Sequence, residues 1–175
     1  MKTRLLLATL VAGSLGCAAP ATRAPQLTPI GATGEYRHEP SHMLFPDNYG
    51  IFRRVSLGQR GDNTHIVAGY VGGSPRCLAA VTFFVDPVVA GESVTSAFAR
   101  ASGETLMAHP SAILESEDID PKSPWQRAIY VDADRRVELG LRRQGPYDVV
   151  DRAVYPVQCI DELGPKLTEF LPWKR

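Results

Sequence analysis

An eight-residue apolar run near the middle of the chain limits the fold more than any other segment. Residues 78–85 read Leu-Ala-Ala-Val-Thr-Phe-Phe-Val, so apolar side chains occupy both odd and even positions. Successive strand residues point to opposite faces of a sheet, and such a run is typical of a strand buried on both sides or at the middle of a sheet. The run therefore predicts the centre of the hydrophobic core.

Further strands and two helices are predicted around this run. Strands are expected at residues 51–57, 65–71, 112–117, 126–132, 137–141 and 149–155. The apolar period changes to that of a helix over residues 92–108, and Pro110 prevents its continuation. A second helical pattern covers residues 160–171, where Pro165 predicts either a kink or two short helices.

This order of strands, helix, strands and helix predicts an α+β domain with a mostly antiparallel sheet flanked by helices. The predicted domain covers residues 43–175, about 130 residues, which is enough for one core and too few for two. The composition, with 44% hydrophobic and 22% charged residues, is that of an ordinary globular protein.

Four short sequences in this domain stand out as core and turn patterns. They are GIFR at residues 50–53, VTFFVDP at 81–87, DRAVYP at 151–156 and FLPW at 170–173. Together they resemble small bacterial exported domains with a PsbP-like fold, named for the extrinsic photosystem II subunit, over residues 43–173. The resemblance implies a three-layer α/β/α sandwich whose relatives bind or assist other components. It carries no functional residue over to this chain.

The N-terminus has the layout of a secretory signal peptide. Lys2 and Arg4 precede an apolar run at residues 5–15, and that run is shorter than the roughly 20 residues that span a bilayer. We therefore expect residues 1–16 to be a signal peptide.

Cys17 follows this segment directly and resembles the acylated cysteine of the bacterial lipobox. Gly16 supplies the small residue before the cysteine, and Ser14 takes the position that usually holds a large aliphatic residue. We predict that Cys17 is lipidated; ordinary cleavage at a small-x-small site is the alternative. Under the sorting logic of lipoproteins, Ala18 implies an outer-membrane anchor facing the periplasm in a Gram-negative cell.

The segment after Cys17 predicts a tether. Residues 17–42 contain four prolines among alanine, threonine and glycine, with no apolar periodicity. Such a composition is typical of a linker that holds a folded domain away from a membrane.

The remaining two cysteines predict a disulfide. If Cys17 carries lipid, Cys77 and Cys159 form an even pair in an oxidising compartment. Closing so long a loop would stabilise the fold by about 2 to 4 kcal/mol, mainly by restricting the unfolded chain. Two buried free thiols are the alternative, because sequence spacing does not show spatial proximity.

The charge balance limits the partners. Loss of residues 1–16 removes Lys2 and Arg4 and no acid, which leaves 17 basic and 19 acidic residues and a formal charge of −2. With no polybasic run, nucleic acid is excluded as a partner, and membrane attachment is assigned to lipid. The expected partners are the membrane and an envelope protein or glycan.

Candidate catalytic groups are few. Residues 38–42, His-Glu-Pro-Ser-His, match the H-E-x-x-H motif of zinc proteases. Pro40 bars the helix that would place both histidines on one metal. His65 lies near Asp62, and His109 precedes Pro110. No serine of the sequence lies in a G-x-S-x-G motif, which would mark a nucleophile for either histidine. We therefore predict no catalytic, cofactor or metal residue.

Two charged clusters remain. The acids at positions 115, 117, 118 and 120 lack the glycine of a calcium loop and predict a solvated strand end. Five arginines, at positions 135, 136, 142, 143 and 152, predict either a basic strip for an anionic headgroup or glycan, or protection of an edge strand. The function expected is a non-enzymatic binding or accessory module. The alternative is an envelope hydrolase whose site is assembled in space.

Overall fold

The computed structural model describes residues 27–30, 34–60 and 64–171. The predicted signal peptide at residues 1–16 and Cys17 lie outside these residues. The strands are β1 (Leu27–Ile30), β2 (Glu35–His38), β3 (Met43–Phe45), β4 (Asn48–Tyr49), β5 (Phe52–Arg60), β6 (His65–Ser74), β7 (Cys77–Pro87), β8 (Ile113–Asp118), β9 (Trp125–Asp132), β10 (Arg135–Gln144) and β11 (Tyr147–Pro156). The α-helices are α1 (Val94–Ala108) and α2 (Ile160–Phe170), and a 3-10 turn, Val157–Cys159, precedes α2.

Eight strands form one antiparallel sheet in the order β4-β5-β6-β7-β11-β10-β9-β8. Hairpins join most neighbours, and the chain crosses once, through α1, from β7 to the far edge strand β8. A smaller antiparallel sheet has the order β1-β2-β3. The apolar run at residues 78–85 lies in β7 at the middle of the large sheet, as predicted.

The predicted α+β fold, an α/β/α sandwich, is wrong. Strands account for 55% of the described residues and helices for 21%, so the fold is β-rich, with two antiparallel sheets and two helices. The strands are longer than their apolar patterns indicated. β10 covers Arg135–Gln144, whereas alternation was visible only at residues 137–141. Backbone ladders extend a hairpin whatever the polarity of its side chains, and the apolar pattern therefore underestimates strand length.

Two hydrophobic clusters pack on opposite faces of the large sheet. On one face, α2 packs against β5, β6, β7 and β11; we call this the α2 face. On the other, α1 packs against β9, β10 and β11; we call this the α1 face. Cover on the α1 face is incomplete, because Leu78 of β7 is 53% exposed.

Strands also form inside the predicted tether. β2 pairs with both β1 and β3, Tyr36 packs against the core, and His38 is fully buried. Folded structure therefore begins at least as early as Leu27 rather than at Met43. Residues 17–26 and 31–33 of the predicted tether lie outside the described part.

Both predicted helices are present. The Ser93 hydroxyl accepts from the Ser96 N–H at 3.1 Å and caps α1. α2 is one continuous helix of 11 residues that contains Pro165 at its middle, so the pattern is not divided into two short helices. None of the helices in the described part of the chain is both long and apolar enough to cross a bilayer.

A disulfide attaches α2 to the central strand. Cys77 begins β7, and Cys159 lies in the 3-10 turn immediately before α2. Their sulfur atoms are 2.09 Å apart and their Cα atoms 5.6 Å apart, across 82 positions of sequence.

Candidate ligand-binding cavity

A cavity of about 610 Å³ lies on the α2 face, between the three-stranded sheet and the C-terminal end of α2. We call it the aromatic cavity. Its wall includes Phe45, Tyr49, Tyr70, Phe83, Phe170 and Arg142. Small-molecule sites of this size, roughly 300 to 1,000 Å³, are mostly apolar with a few placed polar groups.

Phe170 organises the aromatic wall. Its ring stacks on Phe52, with centroids 4.6 Å apart and planes inclined by 18°. It meets Tyr70 and Phe83 edge-on at 5.1 and 5.4 Å. These edge-to-face contacts fix the ring positions and add to the stability that burial provides. The wall is therefore largely formed before any ligand arrives.

Hydrogen bonds hold the three-stranded sheet over this wall. Arg54 of β5 donates to the Phe45 carbonyl and, at 2.6 Å, to the Gly34 carbonyl. The Tyr70 hydroxyl donates to the Pro46 carbonyl at 3.0 Å. Burial raises the pKa of Tyr70 to about 12, which keeps that hydroxyl protonated as a donor at neutral pH.

The turn between β2 and β3 forms another part of the cover. His38 Nδ1 and Ser41 Oγ are hydrogen-bonded at 2.7 Å, and the His38 ring meets Tyr147 edge-on at 4.9 Å. Gln144 of β10 donates from Nε2 to the Ser41 carbonyl at 2.7 Å. Burial lowers the pKa of His38, so the ring is neutral at pH 7. His42, the second histidine of the H-E-x-x-H string, is exposed with φ of 56°.

Arg142 of β10 brings a cation to the cavity. Its Nη2 donates to Gln144 Oε1 at 2.8 Å, and its buried Nε has no hydrogen-bond partner in the described part of the chain. Burial lowers the pKa of Arg142, and the nearby Asp151 carboxylate opposes that shift. The guanidinium charge is therefore only partly compensated.

Two acids also line the cavity. Glu35 is half-buried and Glu169 is exposed at the end of α2. Leu44 and Tyr49, which are 55% and 38% exposed, form part of the open mouth. The cavity thus combines buried aromatic rings and one arginine with a solvent-exposed rim.

The two histidine candidates each contact an acid. His65 Nδ1 lies 2.7 Å from Asp86 Oδ1, and His109 Nδ1 lies 3.0 Å from Asp132 Oδ2. Asp62, the acid that the sequence placed near His65, is outside the described residues. Neither ring contacts a serine or cysteine of the described chain.

Ser111 shares an acid with one of these histidines. It donates to Asp132 Oδ1, so the carboxylate joins the serine and the histidine. A Ser–His–Asp triad needs the histidine in the middle, where it can accept the serine proton. The hydrogen bonds from Ser111 and His109 lower the pKa of Asp132 and keep it an anion.

Both predictions for the five arginines, a basic strip and protection of an edge strand, are wrong. Arg136 and Arg142 point to the α2 face, whereas Arg135, Arg143 and Arg152 alternate to the α1 face. β10 is the sixth strand of eight, so its arginines do not protect an edge. Three acids of the acidic run, Glu115, Glu117 and Asp118, lie in an edge strand, β8, whose side chains are all exposed, and the exposed Asp120 follows that strand. Within residues 27–30, 34–60 and 64–171 no group of three or more histidine, cysteine or acidic residues could hold a metal ion.

Sequence reasoning did not single out the cavity. Its rings come from β3, β4, β6, β7 and α2. Their positions carried the ordinary pattern of core residues, and among the residues of the wall only His42 and Arg142 had been considered as candidate functional residues. Comparisons with protein-family models, with curated proteins and with solved structures gave no match.

Proposed function

We propose that this protein is a cell-envelope lipoprotein that acts as a non-enzymatic binding module, and that the aromatic cavity is its ligand site. The observation that carries the proposal is the size and lining of the cavity, about 610 Å³ with buried rings and few polar groups. The rings are held by contacts within the fold, which reduces the ordering that a ligand would have to impose.

A neutral apolar fluorophore tests the cavity directly. We expect N-phenyl-1-naphthylamine to bind the full protein with a rise in emission, and the Leu44→Trp variant to weaken this binding at least tenfold. Leu44 is exposed in β3 and lines the mouth, so an indole there obstructs entry. Aromatic residues are well tolerated in strands, and stability should change by no more than about 0.5 kcal/mol. Fluorescence titration measures the affinity.

Val89→Trp is the matched control. Val89 is 56% exposed, almost the same as Leu44 at 55%, but it lies in the segment between β7 and α1. This variant should bind the fluorophore like the unaltered protein. Equal binding by both tryptophan variants, or no binding by the unaltered protein, would contradict the cavity as a ligand site.

We propose that a lipid on Cys17 anchors this module, at the outer membrane facing the periplasm if the cell is Gram-negative. An envelope protein or glycan is then the expected partner. Mass spectrometry of the membrane-extracted protein should find a diacylated or triacylated Cys17 at the N-terminus. An unmodified N-terminus beyond residue 17 would contradict the anchor.

An envelope hydrolase is the second candidate. His109 and its Asp132 partner lie beside another cavity of about 540 Å³, on the α1 face near Leu78 and Val154. This pair could serve as a general base toward a water molecule. Esterase activity that is lost in the His109→Ala variant would favour the hydrolase over the binding module.

A further inference from the structure

We propose that the ligand of the aromatic cavity is an apolar monocarboxylate, an acyl chain or aromatic ring whose single carboxylate binds Arg142. This inference rests on the proposed function, since it assigns the chemistry of that ligand.

The guanidinium of Arg142 is prepared for an anion. Gln144 accepts from its Nη2 at 2.8 Å and is itself held by the Ser41 carbonyl at 2.7 Å, so the arginine side chain is positioned by the cover of the cavity. Its buried Nε lacks a partner in the described chain. A desolvated charge with an unused donor is costly. A carboxylate bound at the guanidinium would compensate this charge, and the planar guanidinium fork matches the two carboxylate oxygens.

The distance between Arg142 and the aromatic ring of Phe83 favours a ligand that has an apolar part beyond its carboxylate. Arg142 on β10 and Phe83 on β7 both face the α2 side and are separated by one strand, β11. Phe83 lies opposite Asp151, which lies opposite Gly140, two residues from Arg142. Two strand spacings and this two-residue offset place the backbones of Arg142 and Phe83 about 12 Å apart. A carboxylate at Arg142 would therefore have its apolar part over Phe83 and the neighbouring rings of Tyr70 and Phe170.

The charged residues of the cavity wall favour a ligand with a single negative charge. Arg142 is the one arginine or lysine among the described residues that line the cavity, and His42 is exposed at the rim. Glu35 and Glu169 also belong to the wall, and both would repel a second negative charge. Phosphate esters and dicarboxylates are therefore disfavoured relative to a monocarboxylate.

Displacement of N-phenyl-1-naphthylamine from the full protein tests the inference. Decanoate and decan-1-ol share one chain length and differ in the head group, and 2-naphthoate replaces the chain with rings. We expect decanoate to displace the fluorophore at concentrations at least tenfold lower than decan-1-ol. The stronger of decanoate and 2-naphthoate then identifies the apolar part as acyl or aromatic.

Arg142→Gln should weaken the binding of decanoate at least tenfold and leave that of decan-1-ol within twofold. Arg142→Lys should give an intermediate loss, since it keeps the charge without the fork. Arg53→Gln is the matched control, because Arg53 is an exposed arginine of β5 that does not line the cavity. Its binding of both ligands should be unchanged.

Two results would overturn the monocarboxylate while leaving the binding module intact. One is equal displacement by decanoate and decan-1-ol in the unaltered protein, a comparison that does not depend on any variant folding. The other is an equal loss of both ligands in Arg142→Gln, which would indicate a purely structural arginine. Failure of the fluorophore itself to bind would instead overturn the proposed function.

Discussion

Replacing Cys77 and Cys159 together by alanine is expected to lower the free energy of unfolding by about 4 kcal/mol. The disulfide spans 82 positions, and the loop entropy that it removes from the unfolded chain grows with that length. In a domain of this size the loss corresponds to a fall in Tm of roughly 10 °C. Thermal and urea unfolding of the oxidised protein and of the double variant measure the difference.

Reduction provides the control for this prediction. The side chain of Cys159 is buried, so the alanine variant also loses packing contacts. The unaltered protein in excess dithiothreitol keeps both sulfur atoms and loses only the cross-link. It should approach the stability of the double variant, and dithiothreitol should leave that variant unchanged. Two thiols that alkylate freely in the native protein, purified without reductant, would contradict the bridge.

The parts of the fold that follow a local rule could be predicted. The apolar run of β7 placed it at the centre of the large sheet, and the period of 3.6 residues identified α1. β1 and β2 could not be predicted, because they depend on distant contacts. Gln144 contacts the Ser41 carbonyl across 103 positions of sequence, and Tyr147 packs on His38. Such tertiary contacts override the weak strand preference of a proline-containing segment.

The candidate site was harder to predict than the fold. Phe45, Tyr70, Phe83 and Phe170 lie on four separate elements, and each alone has the pattern of a core residue. Sequence spacing does not distinguish a ring that lines a cavity from one that fills a core. Arg142 carried a usable signal, because it lies on the strand face opposite the alternating Leu139 and Leu141.

Replacing Glu138 by alanine is expected to lower the free energy of unfolding by about 3 to 5 kcal/mol. Glu138 is 4% exposed on β10. Its carboxylate accepts from Arg127 at 2.7 Å, from Arg136 at 3.3 Å and from the Tyr155 hydroxyl. Burial and this carboxylate raise the pKa of Tyr155, so the hydroxyl stays protonated and needs an acceptor. Removing the carboxylate takes this acceptor away from all three donors in a poorly solvated region, and an unsatisfied buried donor lowers stability.

Glu115→Ala is the matched control for this cluster, because Glu115 pairs with the same Arg136 from the exposed edge strand β8. An exposed ion pair contributes about 1 kcal/mol or less, so this variant should be nearly as stable as the unaltered protein. Tyr155→Phe should fall between the two, since it removes one donor and keeps the carboxylate paired with its arginines. Urea unfolding ranks the three variants. Equal stabilities for Glu138→Ala and Glu115→Ala would contradict the prediction. The buried Glu138 carboxylate, whose contacts join β9, β10 and β11, would then contribute no more to stability than the exposed Glu115.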